Sequence, residues 1–161
     1  MIQELNLDHV RYYATSVRLE HSVAERRVAL PLIGGARLML QDQSILIVED
    51  EPFIVMELVD AVLSHGGRVV GPVSTVADAL VLLDTCPVDA AILDVQLIDR
   101  DITPVALRLI EMRKPLVIQT GTGLPSSLTD IGAELPVILK PVAPTRVLEL
   151  LSAEMRKLGS R

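Results

Sequence analysis

The sequence predicts an α/β domain in which helices cover both faces of a five-stranded parallel sheet. Short apolar segments at 45–50, 91–94, 116–120 and 137–140 each end on a polar residue, as the ends of buried parallel strands do. From Ser44 onward, strand-like and helix-like segments alternate, which is the pattern of βαβ units. Half of the residues are hydrophobic, yet only one Phe and two Tyr are present, so the core must be aliphatic. An aliphatic core is typical of a sheet that is buried on both faces.

Composition and charge exclude several classes of protein. The net charge of −6 falls entirely on residues 44–161, because residues 1–43 hold five acidic and five basic side chains. An acidic domain argues against binding to a nucleic-acid backbone. No segment reaches the roughly 18 apolar residues of a membrane helix, and the N-terminus lacks the apolar region of a secretory signal. The lone Cys86 excludes an internal disulfide and fits a reducing, cytoplasmic compartment.

A domain boundary is predicted near Gln43 and Ser44. We expect residues 1–43 to form an N-terminal extension that is partly helical or disordered, since residues 8–28 have mixed amphipathic character and a linker-like stretch follows them. We expect residues 44–161 to form the compact domain. Its predicted strands are 44–49, 68–73, 89–94, 115–120 and 135–139.

The first helix is predicted to begin near Pro52 and to end before Gly66, because proline is tolerated in a first turn and glycine favours a C-terminal stop. Its polar residues define a solvent-facing stripe: Glu57, Asp60 and Ser64. Its large apolar residues are predicted to be mostly buried: Phe53, Met56, Leu58, Val59, Val62 and Leu63.

The later helices are predicted from their caps and their proline residues. Thr75 and Asp78 resemble a capping box at the start of a second helix that runs to about Thr85. Thr103 is predicted to cap a third helix that stops before Pro115. Only a short fourth helix fits around 127–133, and a fifth follows Pro144 to about residue 157. Five such units predict a flavodoxin-like, doubly wound sheet in the order 2-1-3-4-5, whose ligands bind at the C-terminal edge of the strands.

Five polar side chains are predicted to meet at that edge: Glu49, Asp50, Asp94, Thr120 and Lys140. Three converging carboxylates repel each other unless a hard cation lies between them, and Mg²⁺ prefers carboxylate and phosphate oxygens. The lysine and the hydroxyl can stabilise charge on a transferring phosphoryl group. Asp94 is then the candidate nucleophile, because a carboxylate can accept a phosphoryl group as an aspartyl phosphate.

From Ser44 to about residue 158 the chain resembles the receiver domains of two-component response regulators. The motifs are the acid pair Glu49-Asp50, an aspartate in LDVQL, Thr-Gly after strand four and Lys-Pro after strand five. Asp94 lies 44 residues after Asp50, Thr120 follows after 26 more and Lys140 after a further 20, which are spacings typical of the family. Each motif alone is weakly specific, but four in order at strand ends are a specific signal.

The resemblance implies a role for each of these residues. Asp94 would accept phosphate from a histidine kinase or a histidine phosphotransfer protein, while Thr120 and Lys140 would hold the phosphoryl oxygens. The implied magnesium ligands are Asp50 directly, Glu49 through water, Asp94 and the carbonyl of Gln96. A cis Lys140–Pro141 peptide is also implied, and Gln96 and Thr122 would flank the water that removes the phosphate.

The chain departs from the family pattern in two places. Val137 occupies the position where the family usually has Tyr or Phe, so switching by an aromatic ring is excluded. The usual glycine after strand three is also absent, since QLIDRDITP leads directly into helix three. These departures, together with the short fourth helix, affect the signalling mechanism and leave the phosphorylation chemistry unchanged.

The sequence therefore predicts a receiver that signals through protein contacts and catalyses only its own phosphorylation and dephosphorylation. The downstream protein is not identified by the sequence, and homodimer formation is left open. The alternative is a pseudo-receiver that is not phosphorylated and acts as an interaction module. A third interpretation, an aspartate-based phosphatase, is suggested by the D-x-D spelling at Asp99–Asp101, but that motif lies in a loop instead of closing a strand.

Overall fold

The computed structural model describes residues 39–131 and 134–159. The strands are β1 (Ser44–Val48), β2 (Arg68–Val73), β3 (Ala90–Asp94), β4 (Leu116–Thr120) and β5 (Val137–Leu139). The helices are α1 (Pro52–Ser64), α2 (Val76–Thr85), α3 (Thr103–Glu111), α4 (Ser126–Thr129) and α5 (Pro144–Gly159). All strand pairs are parallel and the order is β2-β1-β3-β4-β5, so the predicted fold class and strand order are confirmed.

The three central strands are buried along their whole length, which explains their unbroken apolar sequences. Every residue of β1, β3 and β4 is buried. Alternate residues of each strand enter opposite core clusters: Leu46 packs with residues of α2 and α3, whereas Ile45 packs with residues of α1 and α5. The sheet is therefore a central layer between two helical layers, and its polar residues are confined to the strand ends.

Residues immediately before β1 pack against the end of α1. Leu40 is fully buried, and its amide donates a hydrogen bond to the His65 carbonyl at 3.1 Å. Gly67 lies beside it, where an added Cβ would come within 2.8 Å of Val62 Cγ1 and 3.2 Å of Leu40 Cβ. Residues 1–38 of the predicted N-terminal extension (1–43) lie outside the described residues. Within the described ranges, no helix is long and apolar enough to cross a membrane.

The N-cap predicted from the sequence is confirmed for α2 but not for α3. Thr75 Oγ1 accepts a hydrogen bond from the Asp78 amide at 3.1 Å, as the N-cap residue of a capping box does. The same hydroxyl donates a hydrogen bond to the Asp78 carboxylate at 2.7 Å. Thr103, in contrast, is the first residue of α3 rather than its cap, so that prediction is wrong. The Asp101 side chain instead accepts a hydrogen bond from the Thr103 amide at 2.9 Å.

The predicted burial of α1 is wrong for three of its apolar side chains. Phe53, Met56 and Leu63 are 83%, 64% and 50% exposed, whereas Leu58 and Val62 are buried. The helix is apolar around most of its circumference, but the sheet covers only one stripe of it. The stripe that contacts the sheet contains Leu58 and Val62, one helical turn apart, and the three exposed residues lie on the opposite side.

The structure contains two cis proline peptides within the described residues. Lys140–Pro141 is cis, as the resemblance implies. Gly71–Pro72 is also cis and was not predicted from the sequence. Gly71 has φ +89°, a conformation that residues with a side chain rarely adopt.

Paired substitutions in α1 test its orientation. Leu58→Ala should lower the free energy of unfolding by about 2–5 kcal/mol, because it leaves a cavity in a packed core. Met56→Ala, two residues away in the same helix, should change the free energy by less than about 0.5 kcal/mol because its side chain faces solvent. Urea unfolding followed by circular dichroism measures both. Equal losses for the two variants would contradict this orientation.

Candidate functional site

The C-terminal edge of the sheet brings the predicted acidic and basic side chains together. Glu49 and Asp50 follow β1, Asp94 ends β3 and Lys140 follows β5. One carboxylate oxygen from each of the three acids lies within 4.8 Å of the other two. Lys140 Nζ lies 2.9 Å from Asp94 Oδ1 and 2.9 Å from Glu49 Oε2. Residues separated by 91 positions in the sequence thus form one charged cluster.

This cluster is largely shielded from solvent. Glu49 and Asp94 are only 2% and 7% exposed, and Thr120, at the end of β4, is 1% exposed. The side chain of Lys140 is 14% exposed. Charges that are withdrawn from water in this way interact more strongly with each other than surface charges do.

Burial and pairing have opposite effects on the pKa of Glu49 and on that of Lys140. Burial raises the pKa of Glu49 above its ordinary value, and the hydrogen bond from Lys140 only partly offsets that rise. Burial lowers the pKa of Lys140, but hydrogen bonds to Glu49 and Asp94 outweigh it and leave the pKa raised overall. The ammonium group is thus held firmly in its charged form, while the charge of Glu49 remains incompletely compensated.

The donor set fits a divalent cation. Three carboxylates converge within 4.8 Å, and burial disfavours the charged form of Glu49 even with Lys140 beside it. A small hard cation would supply the missing positive charge, and carboxylate oxygens are the ligands that Mg²⁺ prefers. Three carboxylates that converge in this way therefore satisfy the chemistry required of such a site.

A cavity of about 140 Å³ opens beside Asp94. Five of its lining residues were singled out from the sequence: Asp94, Gln96, Thr120, Thr122 and Lys140. Glu51 also lines it, with Oε1 3.4 Å from Lys140 Nζ, and sequence reasoning missed this residue. The signal was present, because Glu51 directly follows the acid pair and a chain leaving a strand can turn a third side chain toward the same edge.

The hydroxyl of Thr120 is bonded to the loop that follows it. Thr120 Oγ1 donates to the Gly123 carbonyl at 2.8 Å and accepts from the amides of Gly123 and Thr122 at 3.0 and 3.2 Å. Gly123 has φ +103°, and an added Cβ at Gly121 or Gly123 would meet no atom within 4 Å. The Thr120 side chain therefore organises an open turn at the mouth of the cavity.

The segment after Asp94 folds as a small hairpin, defined here as the 95–102 hairpin. The Ile102 amide donates to the Val95 carbonyl at 3.0 Å, and the Leu97 amide donates to the Arg100 carbonyl at 3.3 Å. Between these contacts, Gln96 pairs with Asp101 in an antiparallel bridge. The hairpin supplies a defined path to α3 although the sequence lacks the glycine that the family usually has there.

Both aspartates of the D-x-D motif have structural roles. Asp99 accepts hydrogen bonds from the amides of Val76 and Ala77 at 2.9 and 3.3 Å, at the start of α2. Burial raises the pKa of Asp99, but these amide hydrogen bonds leave it lowered overall. Asp101 contacts the first amide of α3. The two carboxylates thus cap different helices, and this explains the motif without phosphatase chemistry.

Val137, where the family usually has Tyr or Phe, is the first residue of β5. It is half-buried and packs against the core cluster that α2 and α3 cover. Leu139, two residues further along β5, is 66% exposed.

No protein-family model matches the sequence, and no curated protein matches it either. Solved structures do match. A CheY-like response regulator receiver domain protein from Methanospirillum hungatei JF-1 aligns with a TM-score of 0.66 and 22% identity, over 74% of this chain and 98% of that one. SdrG from Sphingomonas melonis Fr1 aligns with a TM-score of 0.57 and 38% identity, over 70% and 97% of the two chains.

The response regulator PhyR from Brucella abortus is also similar, with a TM-score of 0.63 and 28% identity. The alignment covers 76% of this chain and 52% of that one, so this chain spans about half the length of PhyR. The similarity at 22% identity establishes the fold. SdrG and PhyR, at 38% and 28% identity, are also similar to this chain in sequence.

The pKa of Glu49 predicts how the stability of the metal-free protein depends on pH. Because burial raises this pKa above 4.5, the folded protein keeps a proton that the unfolded chain has already released. The free energy of unfolding should therefore fall as the pH rises from the unfolded to the folded pKa. Glu49→Gln should flatten this fall and stabilise the protein at neutral pH.

Urea unfolding in the presence of EDTA across this pH range provides the measurement. Glu57→Gln, which removes an exposed acid from α1, is the matched control and should keep the wild-type pH profile. A Glu49→Gln variant that is less stable than wild type at neutral pH would contradict the prediction.

Proposed function

This chain belongs to the receiver domains of response regulators, and on that premise we propose that it is a signalling switch controlled by phosphorylation of Asp94. The observation that carries the proposal is the placement of the Asp94 carboxylate: it lies in a cavity, 2.9 Å from Lys140 Nζ and within reach of two further acids. A nucleophile, a fixed positive charge and a cation-binding donor set are the parts that phosphoryl transfer to a carboxylate requires.

The proposed donor is a phosphohistidine on a histidine kinase or a phosphotransfer protein. An Asp94 oxygen would attack the phosphorus, forming a P–O bond as the P–N bond to the imidazole breaks, and the imidazole would recover a proton. Mg²⁺ bound by Glu49, Asp50, Asp94 and the Gln96 carbonyl would supply positive charge to the phosphoryl oxygens. The domain would act only on itself and would signal through contacts with a downstream protein.

Lys140 and Thr120 are proposed to hold the transferred group. Lys140 already contacts Asp94 Oδ1, so a small displacement would bring its ammonium group into contact with a phosphoryl oxygen on Asp94. The Thr120 hydroxyl would have to exchange its bond to the Gly123 carbonyl for one to the phosphoryl group. We propose that this exchange alters the 121–123 turn, which would report phosphorylation in place of an aromatic ring at position 137.

Gln96 and Thr122 are proposed to control loss of the phosphate. Both line the cavity beside Asp94, and in the proposed site they would flank the attacking water. We also propose a cytoplasmic location, because the lone Cys86 is typical of proteins that act in a reducing compartment.

Phosphorylation by a small donor tests the proposed function. Incubation with acetyl phosphate and Mg²⁺ should add one phosphoryl group to the intact protein, as measured by mass spectrometry. Asp94→Asn should abolish the gain because the amide is not a nucleophile. Asp84→Asn, which alters an exposed acid that pairs with Arg108 on the surface, should phosphorylate like wild type. A gain that persists in Asp94→Asn would contradict the proposal.

Magnesium binding separates the proposed switch from the alternative of a non-phosphorylated pseudo-receiver. If the acids bind Mg²⁺, a concentration of one hundred times Kd should raise the free energy of unfolding by about 2.7 kcal/mol. Asp50→Asn should remove most of that gain. Urea unfolding with and without Mg²⁺ measures it, with Asp60→Asn on the exposed face of α1 as control. Equal stability with and without Mg²⁺ would favour the pseudo-receiver.

A further inference from the structure

The 95–102 hairpin joins the phosphoryl site to a helix that contributes no residue to the cavity. Its first strand continues directly from Asp94 and carries Gln96, which lines the cavity. Its base is fixed in the core, because Val95 and Ile102 are 3% and 0% exposed. Its tip projects outward, and Ile98 there is 72% exposed. The base fixes the main chain at Val95 through hydrogen bonds with Gln119 and Ile102, whereas the part of the hairpin beyond Gln96 projects away from the core.

The tip of the hairpin is fixed by Asp99. One carboxylate oxygen accepts hydrogen bonds from the Val76 amide at 2.9 Å and the Arg100 amide at 3.1 Å, and the other accepts from the Ala77 amide at 3.3 Å. The two contacts with α2 join positions that are 22 and 23 residues apart in the sequence. A single side chain thus links the hairpin to the N-terminus of α2.

We propose that Asp99 is a positioning residue, which anchors the 95–102 hairpin on α2 and so fixes the main chain at Gln96 for cation binding. The inference rests on the proposed function, in which the Gln96 carbonyl is a magnesium ligand. The glycine that is missing from this loop explains the need for an anchor. A chain without glycine reaches α3 here through a hairpin, and a hairpin this short is marginally stable without further contacts.

The anchor acts at a distance from the cation site. Gln96 pairs with Asp101, which is two residues from Asp99 across the turn of the hairpin. Loss of the Asp99 contacts would free the tip and loosen this pairing, and the Gln96 carbonyl would then sample several positions. Because a ligand that is not held in place costs binding energy to order, the affinity for Mg²⁺ would fall.

The test compares two substitutions at the same helix terminus. Asp99→Ala removes the anchor. Asp78→Ala removes the hydrogen bond that Thr75 Oγ1 donates to the Asp78 carboxylate and leaves the contacts of Asp99 in place. Asp99→Ala should lose stability through loss of a helix cap, by about 0.5–2 kcal/mol. Asp78→Ala should lose about 0.3–1 kcal/mol, because it removes a negative charge from the first turn of α2. Asp99→Asn keeps one acceptor oxygen and should restore most of the wild-type behaviour.

Magnesium affinity, measured by calorimetry or by amide shifts in NMR spectra, is the first readout. Loss of an outer partner of a metal ligand typically lowers affinity about 10- to 100-fold, and since Asp99 acts through the backbone we expect a decrease of about tenfold for Asp99→Ala. Asp78→Ala should bind Mg²⁺ like wild type. Amide hydrogen exchange in the metal-free protein is the second readout: Leu97 and Ile102 should exchange faster in Asp99→Ala only.

The outcomes separate the inference from the proposed function. Suppose that the wild-type protein binds Mg²⁺ and that Asp99→Ala changes neither the magnesium affinity nor the amide hydrogen exchange. This result would overturn the inference and leave the proposed function intact. Equal losses of affinity in Asp99→Ala and Asp78→Ala would also overturn it, because they would reflect helix stability alone. Wild-type protein that binds no Mg²⁺ would overturn the proposed function and this inference together.

Discussion

The pairing of Lys140 with Asp94 and Glu49 is the interaction on which the rest of the site depends. The ammonium group lies 2.9 Å from an oxygen of each acid, and all three side chains are largely withdrawn from water. The acids could not be held so close to each other without a counter-charge at this edge. The sheet places the end of β5, a strand of only three residues, so that Lys140 reaches the ends of β1 and β3. The two contacts thus join three strand ends and compensate part of their charge.

The same arrangement carries a cost of desolvation at Glu49. The apolar strands could be capped by neutral side chains, which would carry no desolvation cost. Instead, burial raises the pKa of Glu49 although a lysine donates a hydrogen bond to it. Such residual imbalance is typical of functional sites, where perturbed acids are kept for the ligand that they bind. Here the incompletely compensated acid lies at the edge where the proposed function places a divalent cation.

The sequence predicted the parts of the molecule that are dictated by periodicity and by strand ends. The parallel sheet, its order and the convergence of Asp94 with Lys140 all follow from short apolar segments that end on polar residues. The exposed side of α1 could not be predicted, because Phe53 and Met56 are as apolar as Leu58 and only packing against the sheet distinguishes them. The contacts of Asp99 were also beyond sequence reasoning, since they depend on how a loop lies against a helix that is distant in the sequence.

The two departures from the family pattern affect opposite sides of Asp94. On the α2 side, the missing glycine is accompanied by the 95–102 hairpin, whose base is buried and whose tip is bonded to the start of α2. On the α4 side, the Thr120 turn is open: Gly121 and Gly123 have free space around them, and α4 has only four residues. A structural change that begins at Asp94 meets less resistance on the side with fewer packing contacts. In the proposed switch, the 121–123 turn can therefore respond in place of an aromatic ring at position 137, because a change there would not disturb the core.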